Sequence, residues 1–130
     1  MAIEIIKNSE FPTKLFGLLG FPLSHSFSQA YFSQKFADLG LQNYRYELFS
    51  YKYIADFYTE ILSKNQDLVG FNVTIPHKIA IIDYLDELDE TAKVVGAVNT
   101  VARLNGKWIG YNTDISMPLA AFFEHCASLR

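Results

Sequence analysis

Cysteine, basic residues and long apolar runs are all scarce in this chain of 130 residues. The single cysteine, Cys126, excludes an intramolecular disulfide and a cysteine-based metal site. No apolar run approaches the ~20 residues that a membrane-spanning helix needs. The first ten residues carry Glu4, Lys7 and Glu10 where a signal peptide would have an apolar centre. These absences read as a cytoplasmic protein without a membrane partner. Lys and Arg number 11 against 14 Asp and Glu, a formal net charge of -3. A nucleic-acid partner needs a basic face, so none is expected. The histidines, His25, His77 and His125, are not spaced as a metal site, and no metal is expected. There is no internal repeat, no low-complexity tract and no Gly/Ser-rich linker.

What is present is a core. Half of the chain is hydrophobic and 15% is aromatic, a composition that excludes disorder. A chain of this length buries roughly two-thirds of the surface its unfolded state exposes, so one compact domain needs no staple.

Strand-like and helix-like segments alternate. Residues 14–20 (KLFGLLG) form a short apolar run ended by glycine and read as a buried strand. Residues 28–39 read as a helix with Phe32, Phe36 and Leu39 on one face and Gly40 as its stop. Residues 44–49 (YRYELF) suit a strand. Ile54, Phe57, Tyr58, Ile61 and Leu62 follow helical spacing, with Glu60 and Lys64 placed to pair on the wet side. Residues 68–74 (LVGFNVT) are a second apolar strand, and Pro76 suits the first turn of a following helix. The acidic run 86–90 (DELDE) reads as a solvated helix end or loop. Residues 97–104 and 107–111 flank Asn105-Gly106, a strong hairpin signal. After Pro118, Leu119, Phe122, Phe123 and Cys126 mark a terminal helix. The pattern predicts an α/β domain: a mostly parallel open sheet with helices on both faces, three layers deep, and a hairpin near the C-terminal end.

Three segments are more polar than this pattern requires. Gly20-Phe21-Pro22-Leu23-Ser24-His25-Ser26-Phe27-Ser28 lies between a strand and a helix, where free N–H groups favour an anion. Ser26 and Ser28 offer hydroxyl donors to a carboxylate, although serine is equally at home as an ordinary N-cap. Asn72-Val73-Thr74-Ile75-Pro76-His77-Lys78 runs from a strand into a predicted helix. A lysine at a helix start opposes the dipole, which hints at function over stability. Its pKa also shifts readily on desolvation, which suits acid–base work. The plain alternative is a surface lysine. In the third segment, Gly96-Ala97-Val98-Asn99-Thr100, a buried amide at Asn99 would need partners. Beyond the hairpin, Asp114 of Asn112-Thr113-Asp114 either caps the last helix or pairs with a lysine across the strand ends.

Taken in order and spacing, these motifs resemble the N-terminal, substrate-binding domain of the shikimate dehydrogenases over about 100 residues. Members of that family reduce 3-dehydroshikimate to shikimate with NADPH in aromatic amino acid biosynthesis. The resemblance implies that Ser26 and Ser28 hydrogen-bond the substrate carboxylate. It implies that Thr74, Lys78, Asn99 and Asp114 complete the substrate site, and that Lys78 and Asp114 are the catalytic pair. His25 then reads as structural, His77 as solvent-facing and His125 as a surface helix residue.

The sequence departs from the family pattern in two places. Phe27 and Gln29 replace the usual lysine and proline beside the serines. Ile115-Ser116-Met117-Pro118 follows Asp114 without the usual glycine. The family holds NADP on a second, Rossmann-type domain with a glycine-rich turn. The seven glycines, at 17, 20, 40, 70, 96, 106 and 110, allow no G-x-G-x-x-G. The expected organisation is therefore a substrate-binding domain over residues 1–114 and a terminal helix over 115–130. The NADP domain is expected to be absent, and the isolated chain inactive. Alternative readings are a quinate/shikimate dehydrogenase fragment, a stand-alone shikimate-binding module, and a homodimer formed through the cleft-side surface.

Overall fold

A computed structural model describes residues 12–24 and 27–113. The elements follow one another as β1 (Lys14–Gly20), α1 (Phe27–Asp38), β2 (Tyr44–Ser50), α2 (Ile54–Phe57) and β3 (Leu68–Val73). Then come β4 (Glu87–Leu88), α3 (Glu90–Val95), β5 (Thr100–Leu104) and β6 (Lys107–Tyr111). A π-helical turn (Tyr58–Leu62) extends α2, and a 3-10 turn (Ala80–Tyr84) precedes β4. The terminal helix expected after Pro118 lies outside the described residues.

The strands form a single sheet in the order β2-β1-β3-β5-β6-β4. β1 runs parallel to both β2 and β3, and β4 runs parallel to β6. Only β5 is reversed among the described strands, antiparallel to β3 and β6. The mostly parallel α/β sheet is thus as the alternating pattern predicts. The β5–β6 hairpin turns at Asn105 and Gly106, both with positive φ, as a tight two-residue connection requires.

Alternation along the strands splits the core into two layers. Leu15 and Leu19 of β1 join Phe57, Leu62, Phe71, Ile81, Ala92 and Val101 in one cluster, beneath α2, the 3-10 turn and α3. Phe16 joins Phe32, Phe36, Tyr46, Val69 and Ala102 in the other, beneath α1. Every residue of β3 is buried, as expected of a central strand covered on both faces.

Several local expectations are corrected. Leu39 is exposed, not part of the buried face of α1. The helix stops one residue earlier, in a Schellman closure: Gly40 N–H donates to the Ala37 carbonyl and Leu41 N–H to that of Phe36. Leu41 therefore packs with Phe36 in the core and takes the place predicted for Leu39. The helix predicted over 54–62 forms, but its second half is a π-turn. The wider turn leaves Tyr58 exposed. Glu60 accepts from Tyr51 Oη at 3.1 Å, with no ion pair to Lys64 among the described residues. No regular helix begins at Pro76: residues 75–76 and 78–79 are turns, with His77 N–H closing on the Thr74 carbonyl. The acidic run is a solvated helix start, as expected, with Asp86, Glu87 and Glu90 exposed, and it also makes specific contacts. Asp86 accepts from Trp108 N–H at 2.8 Å, Glu87 and Leu88 pair with β6, and Asp89 caps α3.

Candidate functional site

The strand directions gather the polar segments at one edge of the sheet. β1, β3 and β6 end there with Gly20, Val73 and Tyr111, while reversed β5 begins there with Thr100, opposite both Asn72 and Tyr111. In open α/β sheets, ligands collect outside the carboxyl ends of the parallel strands. No helix of the described residues is long and apolar enough to cross a membrane.

Backbone hydrogen bonds stitch the motif segments together. Thr74 N–H donates to the Leu19 carbonyl at 2.8 Å, and Phe21 N–H donates to Ile75 at 3.1 Å. Val73 N–H reaches the Asn99 carbonyl at 2.8 Å, and Val98 N–H reaches the Lys78 carbonyl at 2.8 Å. Asn99 N–H in turn donates to Tyr111 at 3.0 Å. Thr74, Lys78 and Asn99 are therefore carried on adjoining backbone segments, each half-buried at the sheet edge. Lys78 stands in a turn, not in the helical first turn that the sequence suggested. Among the described residues it makes no ion pair. Ile75 and Ile79, flanking that turn, are largely exposed.

His77 overturns its solvent-facing reading. It is 3% exposed, and its Nε2 donates to the Tyr51 carbonyl, tying the turn before Lys78 to the segment after β2. The carbonyl supplies the partner that a buried polar ring requires.

Asn99 has the partners that its position demands. Its Oδ1 accepts from Thr113 N–H at 2.9 Å, Thr113 Oγ1 at 3.2 Å and Thr100 Oγ1 at 3.0 Å. This places the residue immediately before Asp114 against Asn99. Asp114, Ser26, His25 and His125 lie outside the described residues, as does the side chain of Ser28, whose backbone belongs to the first turn of α1. Sequence reasoning assigned no role to Asn72, Thr100, Thr113 or Tyr46, which continue the polar network below Asn99. An asparagine within the otherwise apolar β3 was the available signal, since a buried amide needs partners.

Three of the glycines, Gly17, Gly20 and Gly110, leave no room for a cofactor pyrophosphate. The space beside Gly17 is filled by the Phe49 ring, that beside Gly20 by the Thr74 methyl, and that beside Gly110 by Leu85, Val98 and Leu88. No step is assigned to NADP at these three positions.

Comparison with known proteins agrees with this arrangement. The family model described as the shikimate dehydrogenase substrate binding domain matches residues 18–101, more than half of the chain. A shikimate dehydrogenase (NADP(+)) of Methanococcus maripaludis is 53% identical over 102 residues, covering 78% of this chain and 36% of the relative. A shikimate dehydrogenase crystallised with NADP+ superposes with a TM-score of 0.71 at 48% identity, over 82% of this chain and 36% of its own. A shikimate 5-dehydrogenase from Listeria monocytogenes, in complex with shikimate and NAD, gives 0.70 at 38% identity, over 78% of this chain and 35% of its own. This chain thus spans little more than a third of the length of these relatives. With its motif segments joined at one sheet edge and the family model running from β1 into β5, the chain belongs to the shikimate dehydrogenase substrate-binding domain family.

Proposed function

We infer that this chain supplies the substrate half of a shikimate dehydrogenase, which reversibly reduces 3-dehydroshikimate to shikimate. The observation that carries the reading is the convergence of Thr74, Lys78 and Asn99 at one sheet edge, with Thr113 bonded to Asn99 one residue before Asp114. In this reading Ser26 and Ser28 bind the substrate carboxylate at the start of α1, where helix N–H groups favour an anion. Lys78, Asn99 and Asp114 surround its hydroxyls, and Thr74 completes the site. NADP, held elsewhere, supplies or accepts the hydride when bound. As the ketone is reduced, negative charge grows on its oxygen. The Lys78 ammonium stabilises that charge and delivers the proton, and the Asp114 carboxylate orients the ammonium and favours its charged form. In the reverse direction the same lysine accepts the hydroxyl proton.

The domain organisation follows: residues 1–114 form the substrate unit and 115–130 a terminal helix beyond it. Because the sequence carries no G-x-G-x-x-G turn for the cofactor, the 130-residue chain alone is expected not to oxidise NADPH with 3-dehydroshikimate.

A titration of the chain with shikimate, followed by backbone amide chemical shifts, tests the reading. Saturable shifts at Ser26, Thr74, Asn99 and Asp114, weakened by Lys78→Ala, are expected. Unchanged spectra at millimolar shikimate would overturn it.

A further inference from the structure

We propose that Tyr46, buried in β2 well below the sheet edge, is a positioning residue that fixes the Asn99 carboxamide for ligand binding through Asn72 and Thr100. The proposal deepens the reading of Asn99 as a substrate ligand and rests on it. Tyr46 Oη donates to Asn72 Oδ1 at 2.7 Å. Asn72 Nδ2 donates to Thr100 Oγ1 at 3.4 Å, and Thr100 Oγ1 donates to Asn99 Oδ1 at 3.0 Å. Tyr46, Asn72, Thr100 and Thr113 are all buried, with Thr100 wholly so.

Hydrogen count gives this chain a direction. A backbone N–H can only donate, so the Thr113 N–H requires an oxygen opposite it and sets the Asn99 amide with Oδ1 inward. The Thr100 hydroxyl has one proton. With that proton on Asn99 Oδ1, its oxygen accepts from Asn72 Nδ2, which turns Asn72 Oδ1 toward Tyr46. The tyrosine proton completes the sequence. Asn99 Oδ1 is thereby committed to protein donors. An Nδ2 group donates only, so the arrangement selects ligand groups able to accept, such as a hydroxyl oxygen. The Thr113 hydroxyl, with one proton to give, donates either to Thr100 Oγ1 or to Asn99 Oδ1, each 3.2 Å away, and connects the network to the segment leading to Asp114.

Without the Tyr46 proton, Asn72 Oδ1 loses its donor, and among these contacts only the 3.4 Å bond from Nδ2 to Thr100 still orients the amide. Thr100 can then redirect its own proton, and Asn99 loses a donor. The effect at the sheet edge is a less fixed Asn99, although Tyr46 touches no ligand.

Side-chain amide spectra and shikimate titrations of the 130-residue chain test this. Tyr46→Phe preserves the ring stacked on Phe32, with centroids 4.9 Å apart, and removes only the donor. Thr100→Val breaks the same chain at its centre. In the absence of ligand, both variants are expected to shift or broaden the Asn99 Nδ2 proton pair while leaving that of Gln34, on the exposed face of α1, in place. Each is expected to weaken shikimate binding about three- to tenfold, the scale of one lost hydrogen bond. In an Asn99→Ala background, Tyr46→Phe should change binding less than about twofold, since the residue it acts through is gone. An unaltered Asn99 pair in both variants, or additive losses in the double variant, would overturn the proposal. If the unsubstituted chain fails to bind shikimate, the substrate reading fails, and the amide spectra alone then decide whether Tyr46 positions Asn99. If Tyr46→Phe does not fold, the Thr100→Val spectrum makes the decision.

Discussion

Gly20 and Thr74 are in such close register that a Cβ on Gly20 would lie 2.5 Å from the Thr74 methyl. β1 and β3 run parallel here, and Thr74 N–H is held by the Leu19 carbonyl. The glycine therefore sets how near β1 the candidate threonine can sit. Gly20→Ala must displace Thr74 or bend the end of β1, because backbone also stands close, the Ile75 carbonyl lying 3.2 Å from the added atom. The expected cost is about 1–3 kcal/mol, as for other overpacked positions. Shikimate binding should weaken beyond what thermal destabilisation explains. Urea denaturation and titration of the same variant separate the two effects.

Asp89 links the acidic run to the candidate site. Its carboxylate caps α3 by accepting from Ala92 N–H at 3.2 Å and also accepts from Thr91 Oγ1, which in turn accepts from Asn112 N–H at 2.9 Å. Asp89→Ala should cost about 0.5–2 kcal/mol for the lost cap. It should also alter the amide shifts of Asn112 and Thr113. Asp89→Asn, which retains a capping oxygen, should recover most of the stability. Equal denaturation midpoints for Asp89→Ala and the unsubstituted chain would show that the cap contributes nothing.

How much of this was legible beforehand depended on the range of the forces involved. The strands at 14–20, 44–50 and 68–73 were readable because apolar runs and glycine punctuation act locally. Asn105-Gly106 announced its hairpin for the same reason. His77 was misread because its burial comes from distant segments, with a partner 26 residues away in the carbonyl of Tyr51. Glu60 was assigned to Lys64 by helical spacing, but Tyr51 reached it across a loop. Thr74, Lys78 and Asn99 were named from motif resemblance, whereas their common sheet edge arises from the reversal of β5. Nothing in local sequence revealed the Tyr46–Asn72 contact, which spans 26 residues and two non-neighbouring strands.

Tyr51 supplies a pH dependence. Burial, followed by the hydrogen bond to Glu60 and the charges of Glu60 and Asp56, raises its pKa above 10.0. The folded state therefore retains the phenolic proton after the unfolded chain has begun to lose it. That contribution is fully present below about pH 10 and is lost as pH rises through the folded value. Tyr51→Phe should lose less stability than the unsubstituted chain between about pH 8 and about pH 11, in urea midpoints taken at each pH. Parallel loss in the two proteins would exclude Tyr51 as a source of the alkaline slope.

His77 offers the sharpest separation between holding the turn and filling the core. Its ring is buried, its Nε2 proton serves the Tyr51 carbonyl, and its own backbone N–H closes the turn on Thr74. Lys78 follows directly, so the ring anchors the segment that presents the candidate catalytic ammonium. His77→Phe keeps an aromatic volume but leaves the Tyr51 carbonyl without this donor, a loss of about 1–3 kcal/mol. His77→Ala adds a cavity and should cost more. If the hydrogen bond positions the turn, both variants weaken shikimate binding, and His77→Phe does so even at temperatures where it is fully folded. If packing alone matters, His77→Phe binds like the unsubstituted chain and only His77→Ala is impaired. Titrations well below each variant's unfolding transition discriminate between these outcomes, because the population of folded protein is then the same in all three.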